Sequence, residues 1–272
     1  MPGGISMNKF ALITGINYPN TSYELHGCVN DASAILKKLV NEFEFHTTNI
    51  QLLIDEAATK KNILNGLDYL VNRLETGDVG VFTYSGHGTQ TTDLPPIDEP
   101  DMLDEAIVPI DAITNTNNLI RDDEINEILV RLKPDVHFTV IFDSCNSESG
   151  TKDLGKNIQK VRFMEPGAAV RKIQEILGDT DLKKDNSEKG KNQHSFSGIN
   201  HILLAGCKAN ESSYENETHT NGCLTESLIR NMKKGITYQE LYDTIKDEVY
   251  KISSERQHPQ LEGRDLNIPI FQ

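Results

Sequence analysis

Apolar and polar positions alternate along the chain in two distinct rhythms. Short continuous apolar runs occur at Lys9–Thr14, Asn49–Ile54, Val81–Tyr84, Val136–Phe142 and His201–Ala205. Runs of this length, largely apolar, predict strands of a parallel sheet. Between them the period lengthens. Ala32, Ile35, Leu36, Leu39 and Val40 share one helical face from about Asn30 or Asp31, and Ile63, Leu64, Leu67, Leu70, Val71 and Leu74 share another behind a Thr59 cap. Ile125, Ile128, Leu129 and Leu132 predict a helix from about Asp122 that ends before Pro134. Asn221 to about Met232 predicts a further helix. Thr237-Tyr238-Gln239-Glu240 is a capping box opening one with Leu241, Tyr242, Ile245, Val249 and Ile252 inward. Ala106–Ile110 reads as a small strand and Pro259–Leu261 as a last, edge strand. Strands alternating with helices imply an α/β fold, a three-layer sandwich with a mostly parallel sheet of about six strands between helices.

Two of the apolar runs stop at residues able to do chemistry. Val81-Phe82-Thr83-Tyr84-Ser85-Gly86-His87-Gly88 delivers a histidine between glycines, and Val140-Ile141-Phe142-Asp143-Ser144-Cys145 delivers a cysteine. Reacting groups sit beyond the carboxyl ends of parallel strands. If these strands are neighbours, His87 and Cys145 emerge side by side, as a thiolate nucleophile and its base require.

Composition narrows the partners. The 272 residues carry a net charge of −14, which disfavours sequence-nonspecific nucleic-acid binding and suits a basic substrate or a divalent cation. The acidity is uneven. Residues 98–124 hold nine Asp or Glu against Arg121 alone, whereas residues 151–198 hold ten of the chain's 27 Lys and Arg. The latter stretch reads as an exposed basic segment with one amphipathic helix at Ala168–Leu177. The four cysteines, Cys28, Cys145, Cys207 and Cys223, form no C-x-x-C pair, so zinc knuckles are disfavoured and a reducing, cytoplasmic compartment is expected. No signal peptide is expected at Met1–Phe10, and no apolar run approaches the ~18 residues of a membrane span.

Seven stretches, in order from about residue 8 to the C-terminus, resemble those of the metacaspases, a family of caspase-like cysteine peptidases. They are Leu25-His26-Gly27-Cys28-Val29-Asn30-Asp31-Ala32, Tyr84-Ser85-Gly86-His87-Gly88, Leu103-Asp104-Glu105-Ala106-Ile107, Ile120-Arg121-Asp122-Asp123-Glu124, Phe142-Asp143-Ser144-Cys145, Leu204-Ala205-Gly206-Cys207-Lys208 and His258-Pro259-Gln260-Leu261. The resemblance implies Cys145 as nucleophile, His87 as its base, and backbone N–H groups at Gly88 and Cys145 as an oxyanion hole. It implies an acidic pocket lined by Cys28, Asp31, Ser85 and Asp143 that takes the Arg or Lys before the cut. It implies a calcium ion on Asp104, Asp122 and Asp123, for which clustered carboxylates are suited. It also divides the chain into a large-subunit-like part (1–150), a processing linker (151–198) and a small-subunit-like part (199–272). The linker's candidate self-cleavage points are Arg162, Arg171, Lys172, Lys183 and Lys184. The expected function is therefore a monomeric, self-processing, calcium-activated zymogen of a cysteine endopeptidase, with protein or peptide substrates and neither nucleic acid nor membrane as partner. The alternative is an inactive interaction module on the same fold. The usual Asp-Ser-Cys-His-Ser-Gly continuation is replaced here by Asp143-Ser144-Cys145-Asn146-Ser147-Glu148-Ser149-Gly150.

Overall fold

The computed structural model describes residues 7–92, 103–144, 160–165, 200–208 and 211–272. Its centre is a six-stranded sheet in the order β2-β1-β3-β7-β8-β9. These strands are β1 (Lys9–Gly15), β2 (Ile50–Ile54), β3 (Val79–Ser85), β7 (His137–Asp143), β8 (Ile202–Ala205) and β9 (Gln260–Glu262). All neighbours are parallel except β9, which pairs antiparallel with β8 at the sheet edge. The mostly parallel α/β sandwich and its edge strand are thus as the pattern predicts.

Alternation along each strand splits the core into two layers. Leu12, Phe82, Val140 and Leu203 point to one face, where they meet α2 (Lys60–Arg73) and α3 (Asp122–Leu129). Ile13, Val81, Ile141 and Leu204 point to the other, covered by α1 (Cys28–Phe43), α4 (Cys223–Asn231) and α5 (Tyr238–Ile252). Thr59 caps α2 by accepting from Asn62 N, and Thr237 with Glu240 closes the capping box of α5.

The differences from the sequence expectation are local and have physical causes. Helix α1 begins at Cys28, before Asn30, because its first amide groups are satisfied from elsewhere in the chain. Asn17 Oδ1 accepts from Cys28 N (2.9 Å) and Val29 N (3.2 Å), and Glu215 Oε1 accepts from His26 N and Gly27 N. The small strand β5 runs Leu103–Ile107 and stops short of Ile110, which enters a 3₁₀ turn after Pro109. It belongs to a second, antiparallel sheet with β4 (Gly88–Thr92) and β6 (Ile120–Arg121). The predicted helix Ala168–Leu177 lies outside the described residues.

Candidate active site

The two chemically suspicious runs are paired neighbours. β3 and β7 lie parallel with Ser85 opposite Asp143, so both strands end at the same edge of the sheet. Cys145 follows Ser144 directly in the chain and lies outside the described residues. His87 follows β3, is buried, and is held on several sides. Its backbone N–H donates to Tyr18 Oη (2.9 Å), its carbonyl accepts from Tyr84 Oη (2.7 Å), and the Tyr18 ring packs against the imidazole at 4.8 Å between centroids.

The imidazole's protonation pattern follows from its contacts. Nε2 lies 2.7 Å from the Tyr23 carbonyl. A carbonyl only accepts, so Nε2 carries the hydrogen and the Nδ1 lone pair is left free. Nδ1 is buried and has no hydrogen-bond partner among the described residues. Burial pushes the His87 pKa down from 6.5 to about 4, against the opposing pull of the Tyr23 carbonyl. The ring is therefore a neutral proton acceptor at neutral pH. Tyr23 was invisible to sequence reasoning because it contributes a backbone oxygen.

The expected acidic pocket is assembled, and the chain's own Arg162 fills it. Arg162 is fully buried. Its Nη1 donates to Ser85 Oγ (2.7 Å) and to the Asp143 carbonyl (3.0 Å). Its Nη2 donates to Asp31 Oδ2 (2.7 Å), and Asp143 Oδ1 lies 3.2 Å from Nη1. Cys28 is buried in the same region, and desolvation pushes its thiol pKa well up, which keeps it a neutral thiol.

Three residues named from sequence, Asp31, Ser85 and Asp143, therefore contact the guanidinium directly. What sequence reasoning missed is their support from the C-terminal part. Asn221 Nδ2 and Gly222 N donate to Asp31, Ser213 Oγ donates to Asp143 Oδ1, and Thr225 donates to Asp143 Oδ2 through both N and Oγ1. A Cβ on Gly222 would overlap Asp143 Oδ2 and Arg162 Nη1, so the pocket wall there must be bare backbone. Glu215, also fully buried, adds a third carboxylate with Oε1 at 4.0 Å from Nη2. Burial raises the Asp31 pKa to about 6 even though Arg162 favours the charged form.

The backbone around Arg162 is held as an added strand. Arg162 N donates to the Ser213 carbonyl, Glu215 N donates to the Lys160 carbonyl, and Met164 N donates to the Gly88 carbonyl. The Gly88 N–H donates to the Arg162 carbonyl at 3.0 Å. Gly88, expected as an oxyanion donor, thus already holds a peptide carbonyl. Of the five candidate processing points, Arg171, Lys172, Lys183 and Lys184 lie outside the described residues.

The acidic stretch 98–124 is only partly described, and its carboxylates stand differently. Asp104 and Asp122 are buried, and Asp104 Oδ2 pairs with Arg121 Nε at 3.2 Å. Burial, with repulsion from Glu105 and Asp104, pushes the Asp122 pKa up to about 8. Glu124, not either aspartate, completes the cap of α3 by accepting from Arg121 N. Among the described residues no group of three or more His, Cys, Asp or Glu is placed to hold a metal ion. The carboxyl groups there offer hard oxygens, the chemical type that calcium takes.

Comparison with known proteins agrees with this arrangement. Residues 9–153 match the profile of the metacaspase peptidase C14 domain. Metacaspase-1A of Aspergillus oryzae is 31% identical over 299 residues, covering 96% of this chain and 70% of the relative. Metacaspase-1 of Schizosaccharomyces pombe is 32% identical over 84% of this chain and 59% of the relative. Metacaspase-4 of Arabidopsis thaliana is 39% identical over 57% of this chain and 38% of the relative. The chain thus matches between about two fifths and two thirds of the length of these curated relatives. A crystal structure of a Geobacter sulfurreducens protein shares the fold, with a TM-score of 0.67, 24% identity, and coverage of 97% of this chain and 98% of that one. The paired strand ends, the buried histidine and the acidic pocket, together with a profile match over more than half the chain, make this protein a member of the metacaspase family.

Proposed function

We propose that the protein is a cysteine endopeptidase that cuts after Arg or Lys and processes itself at the Arg162–Phe163 bond. One observation carries this reading: Arg162 fills the acidic pocket while its carbonyl accepts from the Gly88 N–H. A side chain in a charge-selective pocket and a carbonyl on an oxyanion donor are what a bound substrate would present.

The chemistry then assigns itself to groups at the sheet edge. The Cys145 thiol loses its proton to His87 Nδ1, and the thiolate attacks the Arg162 carbonyl carbon. Charge develops on the carbonyl oxygen against the Gly88 N–H. The bond to the Phe163 nitrogen breaks, and the departing amine takes the proton back from Nδ1. Water then hydrolyses the thioester, releasing the Arg162 carboxylate and restoring the thiol. The Tyr23 carbonyl stabilises the transient imidazolium through Nε2–H. Until the bond is cut, the segment 160–165 blocks the cleft, so the uncut chain is a zymogen.

Calcium is the second part of the reading. Burial, and after it repulsion from Glu105 and Asp104, raises the Asp122 pKa; a divalent cation near Asp104, Asp122 and Asp123 would relieve the repulsive part, and this supports the reading.

The test is mass spectrometry of the purified chain, with and without calcium, for wild type and Cys145→Ala. A new N-terminus at Phe163 that needs Cys145 is the expected result. In parallel, fluorogenic peptides ending in Arg, Lys or Asp are assayed. Turnover after Asp would overturn the pocket assignment, and absence of any Cys145-dependent cut would return the protein to an interaction module.

A further inference from the structure

If Arg162 lies as a substrate lies, its neighbours are also imprints of what the cleft accepts. Lys160 stands two residues before Arg162. Its Nζ donates to the Glu24 carbonyl at 2.6 Å and contacts His26 Nε2 at 3.0 Å. An ammonium has no acceptor, so it donates both bonds, and His26 must offer a lone pair. The His26 ring also meets the His219 ring edge-on at 6.3 Å between centroids. Beyond the bond, Phe163 is half-buried. Met164 is 6% exposed and belongs to the same apolar cluster as Tyr18, Ala106 and Ile107. Its N–H donates to the Gly88 carbonyl, so one glycine grips the chain on both sides of Phe163. Val161 packs against the other core layer.

We propose that the cleft reads an extended peptide. It takes a basic residue at the third position before the cut, through the Glu24 carbonyl and His26, and a large apolar residue at the second position after it. The substrate class is therefore Lys-aliphatic-Arg followed by any residue and then an apolar one, rather than any lone arginine. This inference rests on the reading of Arg162 as a substrate mimic, and it sharpens that reading.

The two ends differ in strength. The Lys160 contacts are at an exposed rim, where an ion or hydrogen-bond pair is weak, so exchanging that lysine for glutamate lowers kcat/KM by about fivefold. Met164 is buried, so exchanging it for aspartate lowers kcat/KM by about tenfold or more.

The experiment uses quenched fluorescent peptides built on Lys-Val-Arg-Phe-Met, with Lys changed to Ala or Glu, Met changed to Ala or Asp, and Arg changed to Ala. Enzymes are the fully self-cut wild-type chain, the uncut Arg162→Ala chain, whose own segment has lost its anchor, and a His26→Lys chain. The expected result is the order above, with the lysine-over-glutamate preference reversed in His26→Lys. Equal rates, within about twofold, for every peptide that keeps its arginine would overturn the extended cleft while leaving arginine selectivity standing. Loss of turnover in all peptides, or turnover of the Arg-to-Ala peptide, would overturn the proposed function itself.

Discussion

Two acidic clusters in this protein share a composition and differ in what neutralises them. Asp31 and Asp143 are buried beside a guanidinium from the same chain, and each is further held by hydroxyl or amide donors. Asp104 and Asp122 are buried too, but the described cation beside them is Arg121 against Asp104, and Asp122 is pushed up to about 8. Buried carboxylates need a counter-charge and hydrogen bonds, or they take up a proton. The first cluster is complete within one chain. In the second, among the described residues, Arg121 reaches Asp104. Clustered acid is therefore not one signal: its meaning depends on whether a cation from the same chain reaches it.

The comparison breaks most visibly at Asp143. Replacing it with Ala leaves Arg162 short of a partner and removes the acceptor of Ser213 and Thr225. We expect a loss of about 3–5 kcal/mol in urea unfolding, together with loss of the cut at Arg162. Arg162→Glu comes next, because it sets a fourth carboxylate against Asp31, Asp143 and Glu215. The 160–165 segment should leave the cleft, read as rapid nicking there by an added protease, with no Phe163 terminus formed by the protein itself.

For the acidic stretch the expected response is to added metal. Calcium in excess should raise the thermal midpoint by about 5 °C over the EDTA-treated chain, and Asp122→Asn should abolish that rise. A wild-type chain indifferent to calcium would make the second cluster a purely structural feature.

Acidity of the medium tests the first cluster again. Asp31 must be charged to hold a guanidinium, and its pKa is raised to about 6 with Arg162 bound. Because bound arginine favours the carboxylate, an empty pocket protonates at still higher pH. KM for arginine peptides should therefore climb as pH falls towards 6, with kcat changing less, and Asp31→Asn should flatten the climb. His87 moves oppositely. Its pKa, held near 4 by burial, should rise towards 6.5 once the segment is cut and displaced, which histidine NMR titration of the Cys145→Ala chain with and without Arg162→Glu can follow. The smallest effect is expected at Thr59→Ala: about 1 kcal/mol lost with its helix cap, and cleavage unchanged.

The strands and the two histidine- and cysteine-bearing ends were legible because buried parallel strands announce themselves as apolar runs with abrupt ends. Asp31, Ser85 and Asp143 were legible only through a family pattern, since spacing alone does not say that residues 54 apart meet. Two kinds of feature left no trace, and a third was named without being singled out. The Tyr23 carbonyl and the Gly222 backbone act through atoms every residue has. Asn17 and Glu215 cap a helix they do not belong to, so no local motif records them. Arg162 sits in a basic stretch where any of several residues could have been the anchor, and only tertiary packing selects one.

The depth at which Arg162 is held bears on timing as well as on recognition. Hydrolysis after Arg162 would leave that residue as a new chain end, its side chain still bonded to Ser85, Asp31 and Asp143. The first product of such a cut would be the chain's own tethered inhibitor. Activity should then appear after a lag set by departure of that end rather than by bond breaking, and a competing arginine peptide should shorten the lag.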